Sequence, residues 1–256
     1  MVELKTDTSI DAMYEAGQVV ARALTAVREA ADVGVSLLEL DELAHGVLRG
    51  AGATSPFLGY RPSFAATPFP AVLCTSVNDA IVHGIPTGYR LRDGDLLSAD
   101  FGAELNGWVG DSAISFTVGT PRPADVRLIE TAERALAAGI EAAVVGNRVG
   151  DIAHAIGTVC RAAGYGIPDG FGGHGIGRHM HEDPSIPNEG RPHRGFPLRH
   201  GMVIAIEPML IAGGKDTYHE APDGWTLRTN DTSRAAHAEH TVAITKSGPR
   251  VLTERR

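Results

Sequence analysis

The dipeptide Asn106-Gly107 constrains this 256-residue chain more than any other feature. Both residues tolerate the positive φ angles of a two-residue hairpin turn. The stretches 98–105 and 108–112 on either side therefore read as antiparallel strands. If the dipeptide is the whole loop, Leu105 pairs with Trp108, Gly102 with Asp111 and Asp100 with Ala113. Side chains alternate between faces, so Asp100, Gly102, Asp111 and Ala113 share one face. Asp100 and Asp111 become diagonal neighbours, with Cα atoms about 7–8 Å apart. Gly102 leaves room beside Asp111. Two carboxylates held this close repel unless a cation separates them, and two divalent ions about 3.5–4 Å apart fit such a gap. A solvated hairpin with two surface aspartates accounts for the same residues, so the rest of the chain must decide.

Composition narrows the classes. Hydrophobic residues make up 43% and charged residues 21%, a globular balance. The length allows one large domain or two small ones. A net charge of −8 with no Lys/Arg run argues against a nucleic-acid or anionic-membrane surface. The first seven residues are charged and lack the apolar segment of a secretory signal. The apolar run 202–212 is too short to span a bilayer and contains Glu207 and Pro208. Cys74 and Cys160 provide no disulfide framework, which suits a reducing cytoplasm. Nine of the eleven histidines follow residue 150, which points to chemistry in the second half.

Along the chain, residues 1–8 read as a loose arm and 9–256 as a single catalytic domain. Ile10, Met13, Gly17, Val20, Leu24, Val27 and Ala31 recur at spacings of three and four, which predicts a helix from Ser9 to about Ala31. Ser36 and Glu39 form a capping box that opens a shorter helix to about Arg49. Five residues of proline or glycine mark 53–70 as a long loop, and long ordered loops are often functional. Strands follow at about 71–76 and 81–83. Pro123 opens another long helix, with Val126, Ile129, Leu136, Ile140 and Val144 inward, and a shorter one covers about Val149 to Ala163. Strands are expected at about 202–207, 209–212, 225–229 and 236–245. A long helix, a short helix and strands thus occur twice, suggesting pseudo-halves of about 9–120 and 121–250 in an α+β fold.

Three further stretches carry chemistry. Gly172-Gly173-His174-Gly175-Ile176-Gly177 presents one histidine in a glycine-rich turn. Glu207 ends an apolar strand that Pro208 blocks. Glu239 lies inside the apolar strand 236–245, where a carboxylate is unusual unless it is paired or binds metal. Each admits a purely structural reading, but together with Asp100 and Asp111 they form a constellation. In order and local context, Asp100, Asp111, His174, Glu207 and Glu239 match the five metal ligands of methionine aminopeptidases, and the chain resembles that family from residue 10 to 247. Local matches include Asn78-Asp79-Ala80-Ile81-Val82-His83-Gly84, Gly173-His174-Gly175-Ile176-Gly177-Arg178, His181-Glu182-Asp183-Pro184, Ile206-Glu207-Pro208 and Glu239-His240-Thr241. Lacking a large insertion, it is similar to the shorter, type I form.

The resemblance implies the pita-bread α+β fold and removal of the initiator methionine from chains with a small second residue. It implies two divalent ions. Asp111 and Glu239 would bridge them, Asp100 would chelate one, and His174 and Glu207 would bind the other. Four carboxylates and one imidazole suit Mn²⁺, Fe²⁺, Co²⁺ or Zn²⁺ and not a thiolate-rich structural zinc site. The resemblance also implies that the ions acidify the attacking water, that Glu207 accepts its proton, that His181 helps stabilise the oxyanion, and that His83 bonds the scissile amide or the backbone beside it. Tyr60, Cys74, Met180 and Trp225 sit where the family lines its methionine pocket. The segment between Tyr60 and Cys74 is longer than is common, and Met180 replaces a frequent aromatic. The family suggests a monomer acting on nascent polypeptide N-termini and allows a transient ribosome contact. The competing readings are a pita-bread hydrolase for Xaa-Pro peptides and a non-catalytic peptide-binding member of the fold. A glycosidase would leave His174, Glu207 and Glu239 unused.

Overall fold

The computed structural model describes residues 2–63 and 65–255. Met1 of the expected arm, Phe64 of the expected loop and the terminal Arg256 lie outside the described residues. In chain order the elements are α1 (Asp7–Ala30), α2 (Leu37–Ala51), β1 (Leu73–Val77), β2 (Ala80–Val82), β3 (Leu96–Leu105) and β4 (Trp108–Thr117). There follow α3 (Pro123–Ala142), α4 (Val149–Ala162), β5 (Gly172–Gly175), β6 (Glu182–Pro187), β7 (Val203–Ile206) and β8 (Met209–Ile211). The last are β9 (Tyr218–Glu220), β10 (Leu227–Thr229), β11 (Ala235–His237), β12 (His240–Thr245) and β13 (Gly248–Val251). No described helix is long and apolar enough to cross a membrane.

The hairpin closes in the expected register. Leu105 faces Trp108, Gly102 faces Asp111 and Asp100 faces Ala113, with Asn106 and Gly107 both at positive φ. The space over Gly102 is filled, however. A Cβ there would lie 2.8 Å from both Pro56 and Phe57, so the 53–70 segment rests on the hairpin at this point. The capping box at Ser36 forms as expected, with Glu39 accepting from the Ser36 N–H at 2.7 Å.

Two cores flank the strands. Val20, Leu24, Leu40 and Phe101 bury α1 and α2 against the sheet β1-β3-β4. Leu128, Ile152, Ile204 and Ile206 do the same for α3 and α4 against the five-stranded sheet β13-β12-β7-β5-β6. A third cluster, including Phe57, Phe69, Cys74, Met180 and Trp225, lies between these cores and walls a cavity.

Several expectations need correction. Helix α1 starts at Asp7, capped by Thr6. The preceding residues are not all loose, because buried Lys5 pairs with Glu182 and donates its N–H to Gly201. Helix α3 buries Leu128, Ala132, Ala135, Leu136 and Gly139, while Val126, Ile129, Ile140 and Val144 are only half-buried. The closer approach goes to the small side chains, as at Gly139, where a Cβ would come within 3.0 Å of Ile156 and Ile206. The glycine-rich turn is strand β5. Its glycines admit a neighbouring backbone, since a Cβ on Gly173 would lie 2.1 Å from the Ala205 carbonyl oxygen. The strand expected at 236–245 breaks into β11 and β12 at Ala238-Glu239.

That break makes the contact that joins the two cores. The Glu239 N–H donates to the Ala113 carbonyl at 3.1 Å, and the Ser112 hydroxyl donates to the Glu239 carbonyl. Thr241 Oγ1 accepts from the Asp111 N–H at 3.0 Å and donates to the Asp111 carbonyl at 2.8 Å. The open edge of β4 is thereby covered by residues 239–241, and Asp111 and Glu239 are held beside each other by their own backbones. Thr241 is fully buried. Thr241→Val keeps its shape but leaves two backbone groups of Asp111 unpaired, so urea unfolding should show a loss of about 1–3 kcal/mol. An unchanged midpoint would show that this clasp does not hold the halves together.

Candidate active site

His174, Glu207 and Glu239 stand at the end of, or at a break in, a regular element, whereas the two aspartates lie within regularly paired strands. Asp100 and Asp111 come from β3 and β4, and His174 from β5, beside an irregularity in its pairing with β6. Such irregularities re-aim a side chain. Glu207 follows β7, whose extension Pro208 prevents, and Asn188 Nδ2 donates to the Glu207 carbonyl at 3.0 Å. Glu239 sits in the gap between β11 and β12.

The geometry draws them together. One ligating atom each from Asp111, His174 and Glu239 lie within 4.8 Å of one another. His174 Nε2 is 3.5 Å from Glu207 Oε1 and 4.0 Å from Asp111 Oδ2. His174 Nδ1 is 2.8 Å from the Gly175 carbonyl, which can only accept. The proton of the neutral ring is therefore on Nδ1, and the Nε2 lone pair is free toward the carboxylates. Burial depresses this imidazole to about 3, so it is neutral at ordinary pH.

The carboxyls move the other way. Burial pushes Asp100 up to about 7 and Glu207 up to about 8. Asp111 and Glu239 are raised well above the ordinary carboxylate range, first by burial and then by their acidic neighbours. Asp100 Oδ1, Asp111 Oδ1 and Glu239 Oε1 are buried with no hydrogen-bond partner. Buried oxygens are normally paired. Orphaned acceptors on crowded carboxylates, with an imidazole lone pair beside them, fit divalent cations of the Mn²⁺–Zn²⁺ series.

The other expected residues surround one cavity of about 480 Å³ with these five. His83 adopts positive φ (60°) immediately after β2, a conformation rare outside glycine, and its ring stands edge-on to Phe171 and Trp225 at 6.0 and 6.2 Å. Burial lowers it to about 4. His181 Nδ1 is 2.9 Å from the Tyr60 hydroxyl, and its ring lies 4.2 Å from that of His174. Cys74, Met180 and Trp225 form apolar wall.

Sequence reasoning passed over several wall residues. Phe57 and Phe69 come from the long 53–70 segment, which closes on itself through hydrogen bonds between Gly59 or Tyr60 and Phe69. Phe69 meets Trp225 edge-on at 5.2 Å, supplying aromatic surface where Met180 brings none. Four aromatics among the prolines of that segment were the available clue. The hydrogen bond between Tyr60 and His181 and the position of His237 had no clue beyond their residue types.

The family comparison agrees with this site. Metallopeptidase family M24 matches residues 11–246. The chain belongs to metallopeptidase family M24. Among its relatives in the family, it is 53% identical to methionine aminopeptidase 1 of Mycobacterium tuberculosis, over 99% of this chain and 95% of that one. The crystal structure of a methionine aminopeptidase from Thermotoga maritima superposes with a TM-score of 0.95 at 36% identity, covering 100% of both chains. The M24 chain also resembles a prolidase from Pyrococcus furiosus, with a TM-score of 0.77 at 23% identity, covering 99% of this chain and 66% of that one. This last likeness shows the fold alone, which is the α+β pita-bread fold.

Protons and divalent ions compete for the same oxygens, which fixes the sign of a pH dependence. In the folded protein stripped of ions, Asp100 and Glu207 keep their protons up to about 7 and about 8, whereas unfolded they lose them near about pH 4. The stripped protein should therefore lose thermal stability as pH rises from 5 to 8.5. Its affinity for Mn²⁺ should rise over the same range, with proton release on binding. Scanning and titration calorimetry check both, and flat profiles would contradict the raised carboxyls.

Proposed function

We propose that this chain removes methionine from the N-termini of newly made polypeptides, using two divalent ions held by Asp100, Asp111, His174, Glu207 and Glu239. The observation that carries this reading is the meeting of those five side chains on the floor of a cavity whose wall is apolar. When bound, the ions supply Lewis acidity, which activates water and polarises the scissile carbonyl.

The chain's own residues do the rest. Glu207 takes the proton of the attacking water and returns it to the leaving amine, a role suited to a buried carboxylate at the edge of the centre. His181 donates to the oxygen on which negative charge develops. Tyr60 is compatible with that role, because the neutral His181 tautomer with its proton on Nε2 accepts the Tyr60 hydroxyl at Nδ1. His83, also neutral, bonds the scissile amide or the backbone next to it. The methionine side chain packs against Cys74, Phe69, Met180 and Trp225, where sulfur and aromatic surfaces suit a flexible thioether. Each half of the chain gives ligands, Asp100 and Asp111 from 9–120 and the others from 121–250. Buried, unpaired Cys74 and Cys160 suit a reducing cytoplasm, where the substrates arise. We read the enzyme as a monomer.

His181→Ala should lower kcat on Met-Ala-Ser by about 10²-fold or more while bound metal is unchanged. The same assay with an Xaa-Pro peptide should show little turnover by the unmodified enzyme. Preference for the Xaa-Pro peptide would overturn the substrate assignment, and unchanged kcat would remove His181 from the chemistry.

A further inference from the structure

One imidazole at the centre is not used by the reading above. His237 ends β11, two residues before Glu239, and its side chain is 2% exposed. Its backbone is pinned by Ser115, whose Oγ accepts from the His237 N–H at 2.9 Å and donates to the His237 carbonyl at 2.8 Å. Nε2 lies 3.6 Å from Glu207 Oε2 and 3.9 Å from Glu239 Oε2, and it has no hydrogen-bond partner. Those separations exceed the reach of a hydrogen bond, which is about 2.7–3.2 Å. They lie within the limit of about 4.2 Å for two donors each about 2.1 Å from a common ion.

His174 stands in the same relation on the other side of Glu207, with Nε2 at 3.5 Å from Oε1 and 4.0 Å from Asp111 Oδ2. Glu207 is thus flanked by two imidazoles, one per carboxylate oxygen. His237 also faces Asp100 closely enough for the two to interact electrostatically.

We propose that His237 is a sixth ligating side chain, whose Nε2 joins the metal centre beside Glu207 and Glu239, so that the ion pair carries two imidazoles. The inference rests on the five-residue metal centre and adds a nitrogen to it. A second nitrogen moves the donor set away from the oxygen-only preference of Mn²⁺ and toward Zn²⁺, Fe²⁺ and Co²⁺.

The test uses the whole protein loaded with two equivalents of Zn²⁺ and X-ray absorption to count imidazoles per ion pair. Calorimetric titrations with Zn²⁺ and Mn²⁺ accompany it, on the unmodified protein, H237Q and H174A. Glutamine keeps a donor N–H at similar reach but is a poor metal ligand. The unmodified protein should show two imidazoles per pair, and H237Q and H174A one each. H237Q should weaken the second Zn²⁺ by tenfold or more and Mn²⁺ by less. The count on the unmodified protein is decisive even if a variant folds poorly. One imidazole there, lost only in H174A, would overturn the role of His237 and leave the five-residue centre standing. No stoichiometric binding by the unmodified protein would overturn both.

Discussion

Four carboxyl groups forced together in one buried space are the constraint that organises this molecule. Asp100, Asp111, Glu207 and Glu239 would repel if all were ionised, and burial alone already drives them toward their neutral forms. A chain does not gather such groups by side-chain attraction. It does so through backbone contacts strong enough to hold them. The hairpin fixes Asp100 and Asp111 by register, and the Ser112 and Thr241 hydroxyls bind the backbones of Glu239 and Asp111 from opposite sides. Divalent charge is the counterpart that turns this costly cluster into a binding site.

Around the charged floor the surroundings are arranged for neutral histidines. His83, His174, His181 and His237 are all shifted down chiefly by burial, so none of them neutralises the carboxylates by protonation. That leaves their nitrogens free for hydrogen bonds to substrate or for metal. The 53–70 segment contributes twice, since Tyr60 orients His181 while Phe57 and Phe69 build the apolar wall. Its seat on Gly102 ties that wall to the strand pair carrying the two aspartates.

Much of this was legible in the sequence wherever the cause is local. Asn106-Gly107 dictates a turn, and the turn dictates which residues face each other for ten positions along the strands. The Ser36–Glu39 box is equally local. Long-range approach was not legible. The inward face of α3 is chosen by how closely small residues let it pack, which a pattern of large aliphatics misjudges. Gly173 looked like a turn because its reason, the Ala205 carbonyl, lies in another strand. The loose-arm reading of 1–8 fails at Lys5 because its partner Glu182 is far along the chain. The five ligands stood out by residue type and setting and were joined into one set by the resemblance, whereas His237, equally near the carboxylates, belonged to no motif.

The central claim is that the carboxylates converge in order to hold divalent ions, and anomalous diffraction from crystals grown with Mn²⁺ tests it most directly. The account predicts two peaks about 3.5–4 Å apart, both lying between Asp111 and Glu239, with Asp100 on one and Glu207 on the other. A map with no peak among these four residues, and with their carboxyl groups still in contact, would contradict it.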